Sequence, residues 1–173
     1  MTVAVTQGQC GTGATVTWAN AEGNIVFSRE DSIIGTTPTP VPSATGTNFS
    51  WIKNLVLAVT STGTTNITNR RISMSVTPPT GIQLFWKAVA VASYAQAASG
   101  NKPTDSGSNG ATPAGYTLMT TSLALYDNTS VATSATGPNG SMVVVVCGID
   151  RTYVGGAGNA IVLPNPIISY DEA

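Results

Sequence analysis

Apolar and polar side chains alternate along much of this chain. In Arg71-Ile72-Ser73-Met74-Ser75-Val76, the residues Ile72, Met74 and Val76 fall on one side and Arg71, Ser73 and Ser75 on the other. Successive side chains of a strand point to opposite faces, so this period predicts a half-buried antiparallel strand. Residues 55–60 read as its partner, with Leu55, Leu57 and Val59 on the buried side. The turn-rich residues 61–66 lie between them, and the pair is expected to form a hairpin with a longer loop.

Further strands are predicted at 14–18, 24–27, 82–87, 116–121, 122–126, 160–163 and 167–170. The run Met142-Val143-Val144-Val145-Val146-Cys147 lacks alternation. A continuous β-branched run marks a strand covered on both faces, which places it at the centre of its sheet. Asn139-Gly140, Glu22-Gly23-Asn24 and Pro78-Pro79-Thr80-Gly81 supply turns between these segments. Short strands with turn signals at this spacing predict an all-β fold. The expected architecture is an antiparallel β-sandwich, immunoglobulin-like or jelly-roll-like, forming one domain over residues 1–173.

Two stretches break the pattern. Residues 35–48 are rich in Thr, Pro and Ser, with Pro38, Pro40 and Pro42 at alternate positions. This favours an extended polyproline-like arm that cannot pair as a central strand. A pre-extended arm loses little entropy on docking, so Thr36, Pro38, Pro40 and Pro42, together with Trp51, are the candidate partner-binding residues. Residues 99–114 read as a long exposed loop, preceded by a short helical turn at 94–98.

Composition narrows the chemistry. The chain has no His, and charged residues make up 9% of it. A catalytic site needs a general base, a nucleophile or a metal shell, so no catalytic, cofactor-binding or metal-binding residue is expected. Glu30 and Asp31 are adjacent and would face opposite sides of a strand. Asp105, Asp127 and Asp150 sit beside turn residues and read as solvated acids that cap backbone groups. Residues 105–110 have the composition of a calcium loop without its closing Glu. Residues 155–158 are Gly-rich but lack the Lys-Ser/Thr of a phosphate-binding loop.

The net charge is −1, and Arg70-Arg71 is the only adjacent pair of cations, so no nucleic-acid partner is expected. Cys10 and Cys147 lack metal-ligand spacing. Cys147 reads as a buried thiol, with a Cys10–Cys147 disulfide as the open alternative. Residues 1–5 have neither the basic start nor the apolar stretch of a secretory signal, and no apolar run reaches the ~20 residues that span a bilayer. Trp18, Trp51 and Trp86 read as packing residues. Trp86 falls on the side of Ile82 and Leu84.

Residues 60–72, Thr-Ser-Thr-Gly-Thr-Thr-Asn-Ile-Thr-Asn-Arg-Arg-Ile, resemble the hairpin of immunoglobulin-like domains in bacteriophage virion proteins. Residues 27–31, 35–38, 46–53 and 168–173 are similar to small structural proteins of tailed phages. The resemblance implies a capsid decoration (cement) protein, or a tail or neck component. It would be made in the host cytoplasm and carried in the virion. Its implied partners are the major capsid protein, other virion proteins and further copies of itself, with no nucleic acid and no membrane. A second class of function is a carbohydrate-binding host-recognition module resting on Trp51 and Trp86.

Overall fold

The computed structural model describes residues 2–9, 16–20, 25, 27–29, 41, 45–138, 140–152 and 165–173. Its strands, in chain order, are β1 (Thr2–Gln9), β2 (Thr17–Asn20), β3 (Thr47–Phe49), β4 (Lys53–Ser61), β5 (Asn66–Met74) and β6 (Ile82–Ala90). There follow β7 (Thr117–Leu118), β8 (Ala124–Asp127), β9 (Val131–Ala132), β10 (Gly137–Pro138), β11 (Ser141–Asp150) and β12 (Pro166–Glu172). The helical segments among the described residues are two 3-10 turns, Val91–Ser93 and Ser99–Asn101, which flank the predicted turn at 94–98 rather than forming it.

The strands form two antiparallel sheets packed as a sandwich. The larger has eight strands in the order β2-β1-β4-β11-β6-β7, with β10 on β4 and β3 on β11. The smaller has four, ordered β12-β5-β8, with β9 on β5. The all-β sandwich expected from the alternation is the fold found.

The valine run is central, as its pattern predicts. β11 lies between β4 and β6. Its alternate residues Val143, Val145, Cys147 and Ile149 enter the core between the sheets. Met142, Val144 and Val146 enter a second apolar cluster on the other face, with Phe49, Ile52, Val56 and Phe85. Both faces are covered, so neither selects polar side chains. Trp86 packs on the inter-sheet core with Ile82 and Leu84, as expected.

The predicted hairpin between 55–60 and 71–76 does not form. β4 pairs with β1, β10 and β11, whereas β5 belongs to the other sheet and pairs with β8, β9 and β12. Leu55, Leu57 and Val59 meet Ile72 and Met74 across the core instead of along a ladder. Alternation reports which face is buried and is blind to the hydrogen-bonding neighbour, so facing strands and paired strands look alike. β4 is also not half-buried, because Val56 packs into the outer cluster. β5 ends at Met74, and Val76 lies beyond it, 54% exposed.

Other predicted strands are shifted or reduced. The 116–121 segment is the two-residue β7, after which the chain changes sheets. The Met119 N–H donates to Leu84 O of the larger sheet, and the next residue, Thr120, accepts from the Met74 N–H of the smaller. Of the 14–18 strand, residues 17 and 18 fall within Thr17–Asn20 and 14 and 15 lie outside the described residues; β1, not anticipated, pairs with β2 and with β4. Of 24–27, Ile25 and Phe27 are described and sit in the core. The 160–163 strand lies outside the described residues, while 167–170 falls within β12.

The expected arm over 35–48 is corrected at its end. Thr47 and Asn48 belong to β3, are buried, and pair with Asp150 and Ile149. Gly46 makes the entry with φ +79, where the chain passes against the Ser106 carbonyl too closely for any Cβ. Beyond β3, Ser50 continues the ladder on β11: its N–H donates to Cys147 O (2.8 Å) and its Oγ accepts from the Cys147 N–H (3.0 Å).

Candidate functional site

Among the described residues four aspartates are bound to backbone or to a cation. Asp127 closes β8. Its Oδ2 accepts from Arg70 Nη2 (2.5 Å) and the Ser141 N–H (3.2 Å), and its Oδ1 accepts from the Thr129 N–H (2.8 Å) and Oγ1 (2.7 Å). Arg70 and Asp127 are both almost fully buried. The cause lies in β5, where Asn69 adopts φ 46 and the register shifts between Arg70 and Arg71. Asn tolerates this left-handed conformation, and the resulting bulge turns the Arg70 side chain inward. Gly140, with φ +78, gives the guanidinium its space, since a Cβ there would collide with it. Burial alone would raise the Asp127 pKa. The hydrogen bonds from Ser141 and Thr129, with the Arg70 charge, outweigh it and lower the value to about 2.

Arg71 faces the opposite way. Its two Nη atoms donate to the Asp171 oxygens at 2.8 and 2.9 Å, with Asn69 Nδ2 a further donor at 2.9 Å. These hydrogen bonds, from Arg71 first and Asn69 second, lower the Asp171 pKa to about 2. The adjacent cations are thus split between the interior and the surface and form no basic patch.

Asp105 ties down the loop at 99–114. Its Oδ2 accepts from Arg29 Nη2 (2.8 Å), and its Oδ1 from Lys102 Nζ (2.8 Å) and the Phe49 N–H (2.9 Å). Burial works against its ionisation, but hydrogen bonds from Lys102 and Phe49 and the two cations hold its pKa below the usual value. Thr47 and Ser106 exchange backbone hydrogen bonds at 2.9 Å in both directions. The loop is largely exposed, as expected, yet fastened at its middle. At the end of β11, Asp150 accepts from Thr152 and from the Gly110 N–H (3.1 Å), and Thr152 is the main cause of its lowered pKa. Capping roles were legible for Asp127 and Asp150, but solvation was not. Both are buried, and with Asp105 they join segments distant in sequence.

Ionised acceptors with these bonds do not deliver protons near neutral pH. Cys147 is fully buried, and burial pushes its thiol up to about 12, so it stays protonated and unreactive. It is a free thiol, and Cys10 lies outside the described residues. Among the described residues no group of three His, Cys, Asp or Glu is placed to hold a metal ion, and no helix is long and apolar enough to cross a membrane.

Of the predicted partner-binding residues, Thr36, Pro38, Pro40 and Pro42 lie outside the described residues. Trp51 is half-buried against the outer cluster, and Trp86 packs on the inter-sheet core. The two indoles occupy opposite faces of the larger sheet and make no common platform. Trp18 pairs edge-to-face with Tyr94, ring centres 5.8 Å apart.

Hollows open among the described residues. One of about 570 Å³ lies where the two sheets part, between Pro79, Leu84, Leu118, Thr120 and Asp150. Two smaller ones, of about 340 and 160 Å³, adjoin on the outer face of the larger sheet and share Lys87, Asn101 and Tyr116. The smaller of these includes Asn54, which the sequence reading passed over. Its only signal was a polar residue just ahead of the apolar run of β4. Compared with family models, curated proteins and solved structures, the chain matches none.

Proposed function

We propose that the chain is a non-enzymatic structural protein of a tailed-bacteriophage particle, most simply a capsid decoration protein that stabilises the shell through protein–protein contacts. The observation that carries this reading is the use of the charged groups. Each of the four described aspartates is bound to backbone or to a cation, and together they fasten strands and loops into a fixed surface. The resemblance of residues 27–31, 35–38, 46–53 and 168–173 to phage structural proteins supplies the setting. In this reading the sandwich is of the immunoglobulin-like or jelly-roll type, its partners are the major capsid protein and further copies of the chain, and a tail or neck position is the second placement.

Low charge favours dense packing of identical copies, because mutual repulsion is small. Mass spectrometry of purified particles should detect the chain, and negative-stain microscopy with a tagged chain should place it on the shell. Absence from intact particles overturns the reading. Presence at the tail alone moves it to the second placement.

A further inference from the structure

Aspartates answer four of the chain's cations. Arg29 and Lys102 are held by Asp105, Arg70 by Asp127 and Arg71 by Asp171. Lys87 of β6 is different. It is half-buried, and no carboxylate lies within ion-pair distance of it among the described residues. Its Nζ rests over the Tyr116 ring, 4.6 Å from the ring centre. A ring face attracts an ammonium but leaves its three N–H donors to other acceptors. A charge drawn partly out of water is costly unless an opposite charge meets it.

Lys87 and Tyr116 both line the hollow of about 340 Å³ and the smaller one beside it. Their contact sets the ammonium at the junction of the two. Lys102 lines the larger hollow as well. Its Nζ donates to Asp105 Oδ1 at 2.8 Å and to Pro103 O at 3.2 Å, which leaves one of its three N–H groups. The lining of this hollow holds no Asp or Glu. Burial lifts the Tyr116 phenol to about 12, so it is neutral and supplies no anion of its own. Asp105 is already shared by Lys102, Arg29 and the Phe49 N–H. Positive charge is therefore left over at the hollow.

We propose that this hollow binds a phosphate dianion, either free or carried by a small monoester. One ammonium comes from β6 and the other from the 99–114 loop. A tetrahedral group presents oxygens in several directions and can accept from donors on separate elements, whereas a planar carboxylate presents one edge. Two ammonium groups also match a dianion. Pro103, Pro113 and Ala114 form an apolar wall on which the carbon body of an ester can rest. The site is independent of the assembly role and stands whether or not the chain is found on a particle.

Titration of the intact protein with inorganic phosphate and with phenyl phosphate, at low ionic strength and above neutral pH, tests it by calorimetry and amide NMR. Saturable binding is expected with Kd of about 1 mM or tighter, with shifts centred on 86–88 and 101–104. Tighter phenyl phosphate assigns the apolar wall to an ester body, and equal affinities assign the site to the free ion. Acetate should bind at least about tenfold more weakly. Lys87→Gln and Lys102→Gln should each weaken phosphate about tenfold, as loss of one charge-assisted hydrogen bond does, with a thermal melt to confirm folding. Arg29→Gln also takes a cation from Asp105 but does not line the hollow, and should change Kd less than about twofold. No saturable phosphate binding, acetate as tight as phosphate, or Arg29→Gln as damaging as Lys87→Gln would overturn the proposal.

Discussion

Replacing Asp127 by Asn tests the buried ion pair directly. The exchange keeps the size of the side chain and removes its charge. Arg70 Nη2 and the Ser141 N–H converge on one oxygen, while the Thr129 N–H and Oγ1 converge on the other. An amide has one oxygen, so its NH2 meets donors wherever it turns. Arg70 and Asp127 side chains are 1% and 6% exposed, so water does not repair the loss. Breaking a buried pair costs about 3–5 kcal/mol, against a total stability of roughly 5–15 kcal/mol for such a domain. We expect a loss of about 3 kcal/mol in urea denaturation, seen as a lower midpoint with an unchanged slope. The double variant Arg70→Met, Asp127→Asn should recover part of it, because no charge is left stranded and the amide oxygen still accepts from a backbone N–H. The pH dependence has a definite sign. The folded pKa of about 2 lies below the unfolded 3.8, so the contribution is fully present above the unfolded value and is lost as pH falls through about 2. Wild type should lose about 2 kcal/mol across that window that the Asn variant does not. A change within about 0.5 kcal/mol for Asp127→Asn would refute the reasoning, since that is the scatter of surface substitutions.

Val145→Asp would place an unpaired carboxylate at a fully buried position and should cost several kcal/mol, enough to unfold the chain, whereas Thr64→Asp in the exposed β4–β5 loop should be near neutral by the same denaturation assay. Amides of residues 143–146 should exchange with solvent most slowly in the chain; exchange as fast as at 106–109 would contradict a central β11. Asp105→Ala should open the 99–114 loop to protease with a global loss of only about 1 kcal/mol, because Thr47 and Ser106 still pair; an uncut loop would show that Asp105 is not its fastener. In a Cys10→Ser background, Cys147 should resist alkylation until the protein is unfolded, and rapid labelling of the native chain at neutral pH would contradict its burial and raised pKa.

The fold class was legible because strand alternation depends only on which face is dry. Ile72, Met74, Leu55, Leu57 and Val59 all declared their buried sides correctly, and the unbroken valine run declared both of its own. Pairing was illegible for the same reason: nothing in Leu55 or Ile72 distinguishes a partner across the core from a partner along the sheet. β7 was too short to show its change of sheet, which is made by two backbone hydrogen bonds that any residues could supply. The polar sites were less legible still. Asp105, Asp127 and Asp150 look alike in sequence, each an acid beside turn residues. Their partners Arg29, Arg70 and Gly110 lie 76, 57 and 40 positions away. Lys87 and Lys102 come to one hollow only because the 99–114 loop settles beside β6.

The edges of the sheets bear on what one copy of the chain could offer another. With so few charges, electrostatic repulsion gives copies little protection from one another, and an open strand edge is a template for uncontrolled stacking. Here β7 is two residues long and leaves its sheet at once, and β2 and β8 have four residues each. β12 is interrupted by a register shift after Ser169 and finishes in Asp171-Glu172. Backbone geometry therefore does the work that charge does in most proteins. Among the described residues the sheet edges offer a second copy little ladder to extend.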